Sequence, residues 1–166
     1  TSDPRIMDRR PIGRDESFFG GGIFPVIVQQ TIAFSLVTWA GYYLGAFVEL
    51  ADGFSPSRPL GQSMAFLILG WTSILHIFTV RSRASICRRP LFDNPPLLIS
   101  AVAMLVLFAL LVAWQPLAGL FGLVGIAPRH WLAAVILSLV PTVVAETGKW
   151  IEAAQERKRY RLRFVR

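Results

Sequence analysis

Charge is scarce in this chain of 166 residues: 16% are Asp, Glu, Lys or Arg, against about 25% in ordinary soluble domains. With 54% apolar residues, this composition argues against a soluble globular enzyme and against a disordered chain. Cysteine is almost missing. Cys87 has no partner for an internal disulfide, and nothing beside it makes a metal site. The chain has no P-loop, no HExxH, no CxxC and no Ser-His-Asp set ordered as a triad. No catalytic residue is assigned. Residues 1–22 lack the apolar core of a signal peptide. Without an initiator Met, the opening Thr-Ser-Asp-Pro leads us to expect a segment of something longer.

What remains is apolar sequence in four long stretches, separated by short polar segments rich in Pro and Arg. The fold class read from this pattern is an all-α integral membrane bundle of four transmembrane helices. Its spans are expected at about residues 23–50, 63–80, 97–114 and 131–150, with a loop over 1–22 leading in and a basic tail over 151–166. The net charge of +7 is unevenly placed. Of 17 Lys and Arg, four precede the first span, four lie between spans two and three, and seven lie from Lys149 onward. Only Arg58 and Arg129 fall in the other two connections. Fifteen against two on alternating sides is the positive-inside pattern, so both termini and residues 81–96 are expected in the cytoplasm. Position thus explains the basic charge without nucleic acid.

Individual residues refine the spans. Gly41 and Gly45 form a GxxxG pattern, which lets another helix backbone approach closely where packing replaces the hydrophobic effect. Gly53, Pro56, Pro59 and Gly61 mark a short outside turn, and Pro96 suits the first turn of the third helix. The third span has Ser100 as its only clearly polar residue and should face lipid over much of its surface. Residues 115–130 are expected to lie along the interface, with Trp114 and Trp131 as aromatic anchors. Pro141 should kink the fourth span.

Polarity inside a membrane is expensive and therefore informative. Thr72, Ser73, His76 and Thr79 lie at spacings of one, three, four and seven, which reads as one face of the second helix. Such a stripe can hold or pass a cation, with Ser73 and His76 the candidate ligands, or it can hydrogen-bond neighbouring helices. It has no carboxylate, which disfavours a divalent ion. Gln29, Gln30 and Thr31 read as interfacial and structural. Glu146 and Lys149, three apart, are placed to pair with each other or with a neighbouring helix. The basic tail suits anionic lipid headgroups, at about 1 kcal/mol per charge near the surface.

Several runs, in order, resemble the C-terminal membrane domain of type II P-type cation ATPases. Pro4-Arg-Ile-Met-Asp-Arg-Arg-Pro-Ile-Gly-Arg14, followed by Glu16-Ser-Phe-Phe-Gly-Gly-Gly22, is similar to the loop after their sixth membrane helix. Gly61-Gln-Ser-Met-Ala-Phe66 through His76-Ile-Phe-Thr-Val-Arg-Ser82 resembles their eighth helix. Pro116-Leu-Ala-Gly-Leu-Phe121, Trp131-Leu and Glu146-Thr-Gly-Lys149 resemble the stretch from the end of helix nine through helix ten. The resemblance implies helices seven to ten of a bacterial calcium-type pump, supporting transport helices located elsewhere. It also implies ATP and Mg for the full-length pump, none of them held here, since the phosphorylated Asp motif is not in this chain. The implied partners are the remaining helices and cytoplasmic domains, the lipid bilayer and the transported cation.

In some of these pumps helix eight supplies a Glu to the first of two calcium sites, and in others a Gln stands there. In-register counting puts that position at Ser73, so the resemblance implies one ion per cycle through ligands outside this chain. The rival reading is a self-contained small membrane protein, a non-catalytic subunit or a channel-like carrier using the Thr72/Ser73/His76/Thr79 stripe.

Overall fold

The third apolar stretch has the simplest local logic. Asn94 caps its helix by accepting a hydrogen bond from the Leu97 backbone N–H through its side-chain oxygen, at 3.4 Å. Pro95 and Pro96 then occupy the first turn, where a missing N–H costs nothing. In the computed structural model, which describes residues 23–50, 53, 55–80 and 94–164, this helix runs Pro95–Ala113. Four further helices complete the described residues. In chain order they are α1 (Ile23–Phe47), α2 (Arg58–Val80), α3 (Pro95–Ala113), α4 (Gln115–Leu120) and α5 (Pro128–Phe164).

Among the described residues there is no strand. Four helices are long and apolar enough to cross a membrane: Phe24–Phe47, Arg58–Val80, Pro95–Ala113 and Pro128–Ile151. The protein is therefore an all-helical, multi-pass membrane bundle. α2 begins at Arg58, five residues before the expected Ser63, because Ser57 caps it: its Oγ accepts from the Leu60 backbone N–H at 3.3 Å. α5 likewise begins early, at Pro128, where proline is pre-set for a first turn. It continues unbroken through Pro141, which is fully buried, and far beyond the fourth span to Phe164. The expected loop over 1–22, the connection over 81–93 with Cys87, and the side chains of most of the basic tail lie outside the described residues.

α2 is the centre of the bundle. It packs against α1, α5 and α3, and its buried residues Leu60, Met64, Leu67 and Ile68 join Val37, Val112 and Ala134 in one core. α3 touches the bundle along one strip and leaves Ile99, Val102, Val106 and Leu110 exposed. Trp71 fastens that strip: its Nε1–H donates to the Leu105 carbonyl at 3.0 Å. Phe66 stacks on Phe108, whose ring lies over the bare backbone of Gly70.

The 115–127 connection turns inward. α4 carries a buried Ala118, the Leu123 N–H closes onto the Ala118 carbonyl at 2.9 Å, and Leu123, Ile126 and Ala127 are buried. Only part of this connection lies at the surface. Trp114 is exposed, whereas Trp131 is half-buried with its ring 5.9 Å from that of Trp71. Ala118, Leu123 and Ile126 join the core around α2, whereas Leu120 and Phe121 stay exposed.

Candidate functional site

Two glycines on α1 and one on α2 set how closely these helices meet. A Cβ on Gly45 would stand 2.8 Å from the Leu60 carbonyl oxygen and 2.9 Å from Gly61 Cα. A Cβ on Gly61 would stand 2.7 Å from the Tyr42 carbonyl oxygen. Here the two backbones touch, as small residues allow inside lipid. Gly41, one turn along, lies beneath the Ile68 side chain. The glycine pattern on α1 thus meets its partner on α2, and Gly61 is the third member that the pattern on α1 alone did not reveal.

The crossing sets an antiparallel register. Eleven residues, about three turns, from Gly45 toward the start of α1 stands Phe34, whose ring meets the His76 ring edge-on at 5.1 Å. The same face carries Thr38 one turn above Phe34 and Gln30 one turn below it. Opposite them on α2 run Thr72, His76 and Thr79. Thr72 and Thr79 are 1% and 2% exposed, and Gln30 is 7% exposed. Gln30 is buried because it falls on the helix face set by the glycines.

Ser73 departs from its stripe. It is exposed, and its Oγ–H donates back to the Leu69 carbonyl at 2.7 Å. With His76, Ile77, Val80, Asn94 and Leu97 it lines an open groove of about 530 Å³ between α2 and the start of α3. The four polar residues of α2 therefore do not share one face: Thr72 and Thr79 point into the helix seam, Ser73 lines the groove, and His76 borders both. The expected face breaks because Ser73 stands about 100° around the helix from Thr72.

The far end of the seam is closed by charge. Lys149 Nζ donates to Glu146 Oε1 at 2.8 Å and to the Thr79 carbonyl at 2.6 Å, bridging α5 to the last turn of α2. That carbonyl is one of four a helix leaves unpaired at its C-terminus, where the helix dipole also favours a cation. Glu146 and Lys149 thus make both of the contacts offered as alternatives by their spacing. At the opposite end, Ser63 Oγ–H donates to the Pro59 carbonyl at 3.0 Å and accepts the Val124 N–H at 2.8 Å. Arg129 Nη1 donates to the Leu50 carbonyl at 3.3 Å. These links join both ends of α2, and the start and middle of α5, to their neighbours.

Sequence reasoning did not single out Thr38, Thr142 or the buried Ser138 and His130. Thr38 was legible in principle, eight residues from Gln30 on the same helical face. Among the described residues no group of three or more His, Cys, Asp or Glu is placed to hold a metal ion.

A bundle of apolar helices joined by glycine contacts and by a lysine–carbonyl hydrogen bond from α5 to α2 defines a polytopic membrane domain. The chain belongs to the family described as "Cation transporting ATPase, C-terminus", which matches residues 1–151. It is similar to "Calcium-transporting ATPase 1" of Bacillus cereus (strain ATCC 10987 / NRS 248), 29% identical over 158 residues covering 89% of this chain. It is also similar to "Calcium-transporting ATPase" of Bacillus subtilis (strain 168), 24% identical over 137 residues covering 82% of this chain. The chain spans about 18% and 15% of the lengths of these two relatives.

Proposed function

We propose that this chain is the C-terminal membrane scaffold of an ATP-driven cation pump, and that the cation is calcium. The observation that carries the reading is the family match over residues 1–151, on a chain that is a small part of its relatives' length. In this reading the phosphorylated Asp, the ATP and Mg sites and the ion-carrying helices lie in the rest of the polypeptide. Both termini and residues 81–93 face the cytoplasm, supported by the placement of fifteen of the seventeen basic residues. The basic tail following Lys149 meets anionic headgroups.

The scaffold's role is to stay put while other helices move. Three arrangements suit it: backbone contact at Gly45 and Gly61, the Lys149 bridge from α5 to α2, and the Ser63 anchor on Val124. Each resists sliding between α1, α2 and α5. Ser73 offers one neutral oxygen and no charge. This supports ion ligands lying outside the chain, since calcium gathers about six to eight oxygens with carboxylates among them.

The test is transport by the intact protein in sealed vesicles. ATP-driven calcium uptake with a phosphorylated aspartate intermediate is the expected outcome. Passive cation flux through vesicles carrying this chain alone, blocked by changing Thr72 and His76, would instead establish a self-contained carrier.

A further inference from the structure

The two sides of α2 are unlike. Toward α3 the polar groups are satisfied: Trp71 is bonded to Leu105, and Phe66 and Phe108 cover Gly70. Toward α1 and α5 they are not. The side-chain amide nitrogen and oxygen of Gln30, the hydroxyls of Thr38, Thr72, Thr79 and Thr142, and Nδ1 of His76 are all buried. None has a hydrogen-bond partner among the described residues. Three of these residues (Gln30, Thr72 and Thr79) are more than nine-tenths buried. Buried polar groups are normally paired, and in lipid an unpaired one has no bulk water to turn to.

The orphans are not scattered. The Gly45–Gly61 crossing and the Phe34–His76 contact set a register that brings Gln30 opposite Thr79 and Thr38 opposite Thr72. The polar groups therefore form one seam along the Lys149 half of the bundle, ending at the Lys149–Thr79 bridge. Beyond it, the Gly41–Gly45 half is closed by direct backbone contact and has no room for anything between the helices.

A ligand for this seam must be small and neutral. Its lining offers hydroxyls and an amide, groups that both donate and accept. The Lys149 ammonium at its end repels a cation, and the Glu146 carboxylate is already engaged by that ammonium. Water meets these conditions: buried waters make about three hydrogen bonds to otherwise unsatisfied polar groups. We propose that the seam lined by Gln30, Thr38, Thr72, His76 and Thr79 is a water-binding site, holding a short file of water molecules that joins α1 to α2. The α1–α2 contact is then dry and tight at its glycine end and hydrated at its Lys149 end.

The experiment uses the intact protein in bilayers, isotope-labelled over residues 23–164, with magnetisation transferred from water to the protein by solid-state NMR. Thr72 and Gly70 make the internal comparison. Both are buried on α2, about 3 Å apart along its axis and on opposite sides. Transfer to Thr72 and Thr38 is expected to build up at least threefold faster than to Gly70 and Phe108. Equal build-up at the two pairs means a dry seam and overturns the proposal. A second readout is the sign of a stability change. Thr72→Val keeps the shape and removes the hydroxyl, so it lowers the unfolding midpoint if that hydroxyl is bonded to water. A raised midpoint, as expected on removing an orphaned hydroxyl from a dry seam, also overturns the proposal.

Discussion

The ammonium of Lys149 sits 2.6 Å from the carbonyl oxygen of Thr79, a residue seventy positions away on another helix. One side chain thereby caps the last turn of α2, neutralises Glu146 and joins the fourth span to the second. Both partners of the ion pair are mostly buried, with side-chain exposures of 17% and 16%. Losing Lys149 removes the charge that faces Glu146 and the donor to the Thr79 carbonyl.

Lys149→Met should therefore destabilise the bundle by about 3 kcal/mol, the low end of the range for breaking a buried ion pair, since both side chains keep some exposure. The double variant Lys149→Met/Glu146→Gln should recover part of that loss, because the carboxylate charge that Lys149 balanced is removed with it. Unfolding midpoints in a mixed-detergent titration check both. A double variant less stable than Lys149→Met would mean that Glu146 is held by something other than Lys149.

The glycine crossing makes an unequal pair of predictions. Gly45→Ala places a Cβ against the Leu60 carbonyl and Gly61, which are backbone and cannot turn aside. Gly41→Ala meets the far end of the Ile68 side chain, which can. The first should cost about 1–3 kcal/mol and the second clearly less, in the range known for overpacking. Equal losses would mean that the helices are not in backbone contact at Gly45.

Ser63 ties the 121–127 segment to α2. Ser63→Ala removes the acceptor of the Val124 N–H and leaves that donor unpaired, at a cost of about 1–3 kcal/mol. Amide exchange at Val124 should accelerate in the variant while exchange in α3 stays unchanged. Unaltered exchange at Val124 would show that the bond contributes nothing.

Orientation is checked by thiol labelling in sealed vesicles. Cysteines replacing Ser57 and Arg129 should react with an impermeant reagent from the outside, and native Cys87 only after permeabilisation. The expectation rests on the distribution of basic residues. Labelling of the Ser57 and Arg129 replacements from the inside alone would invert the topology.

Much of this architecture could be read from one sequence because long apolar runs in lipid have few alternatives to helices. Four long apolar helices and the pairing of Glu146 with Lys149 followed from local pattern. Boundaries moved where capping chemistry was overlooked: Ser57 and Pro128 start α2 and α5 earlier than the apolar runs suggest. What no local pattern contains is which face of a helix meets which neighbour. Hence the spacing of Thr72 and Ser73 does not reveal that one faces α1 and the other the groove beside α3, nor does the sequence mark the Thr79 carbonyl as the Lys149 acceptor. Each depends on how α2 packs against a different neighbour.

The central claim is that this chain braces a cation pump without supplying an ion ligand, and Ser73 is where it is most exposed to test. The deciding measurement is the number of calcium ions transported per ATP, with apparent calcium affinity, in the intact protein and in Ser73→Ala. The account predicts one ion per ATP in both, and an affinity change smaller than the tenfold that about 1.4 kcal/mol represents. A ratio of two in the wild type falling to one in Ser73→Ala would show that Ser73 is a working ligand and contradict the account.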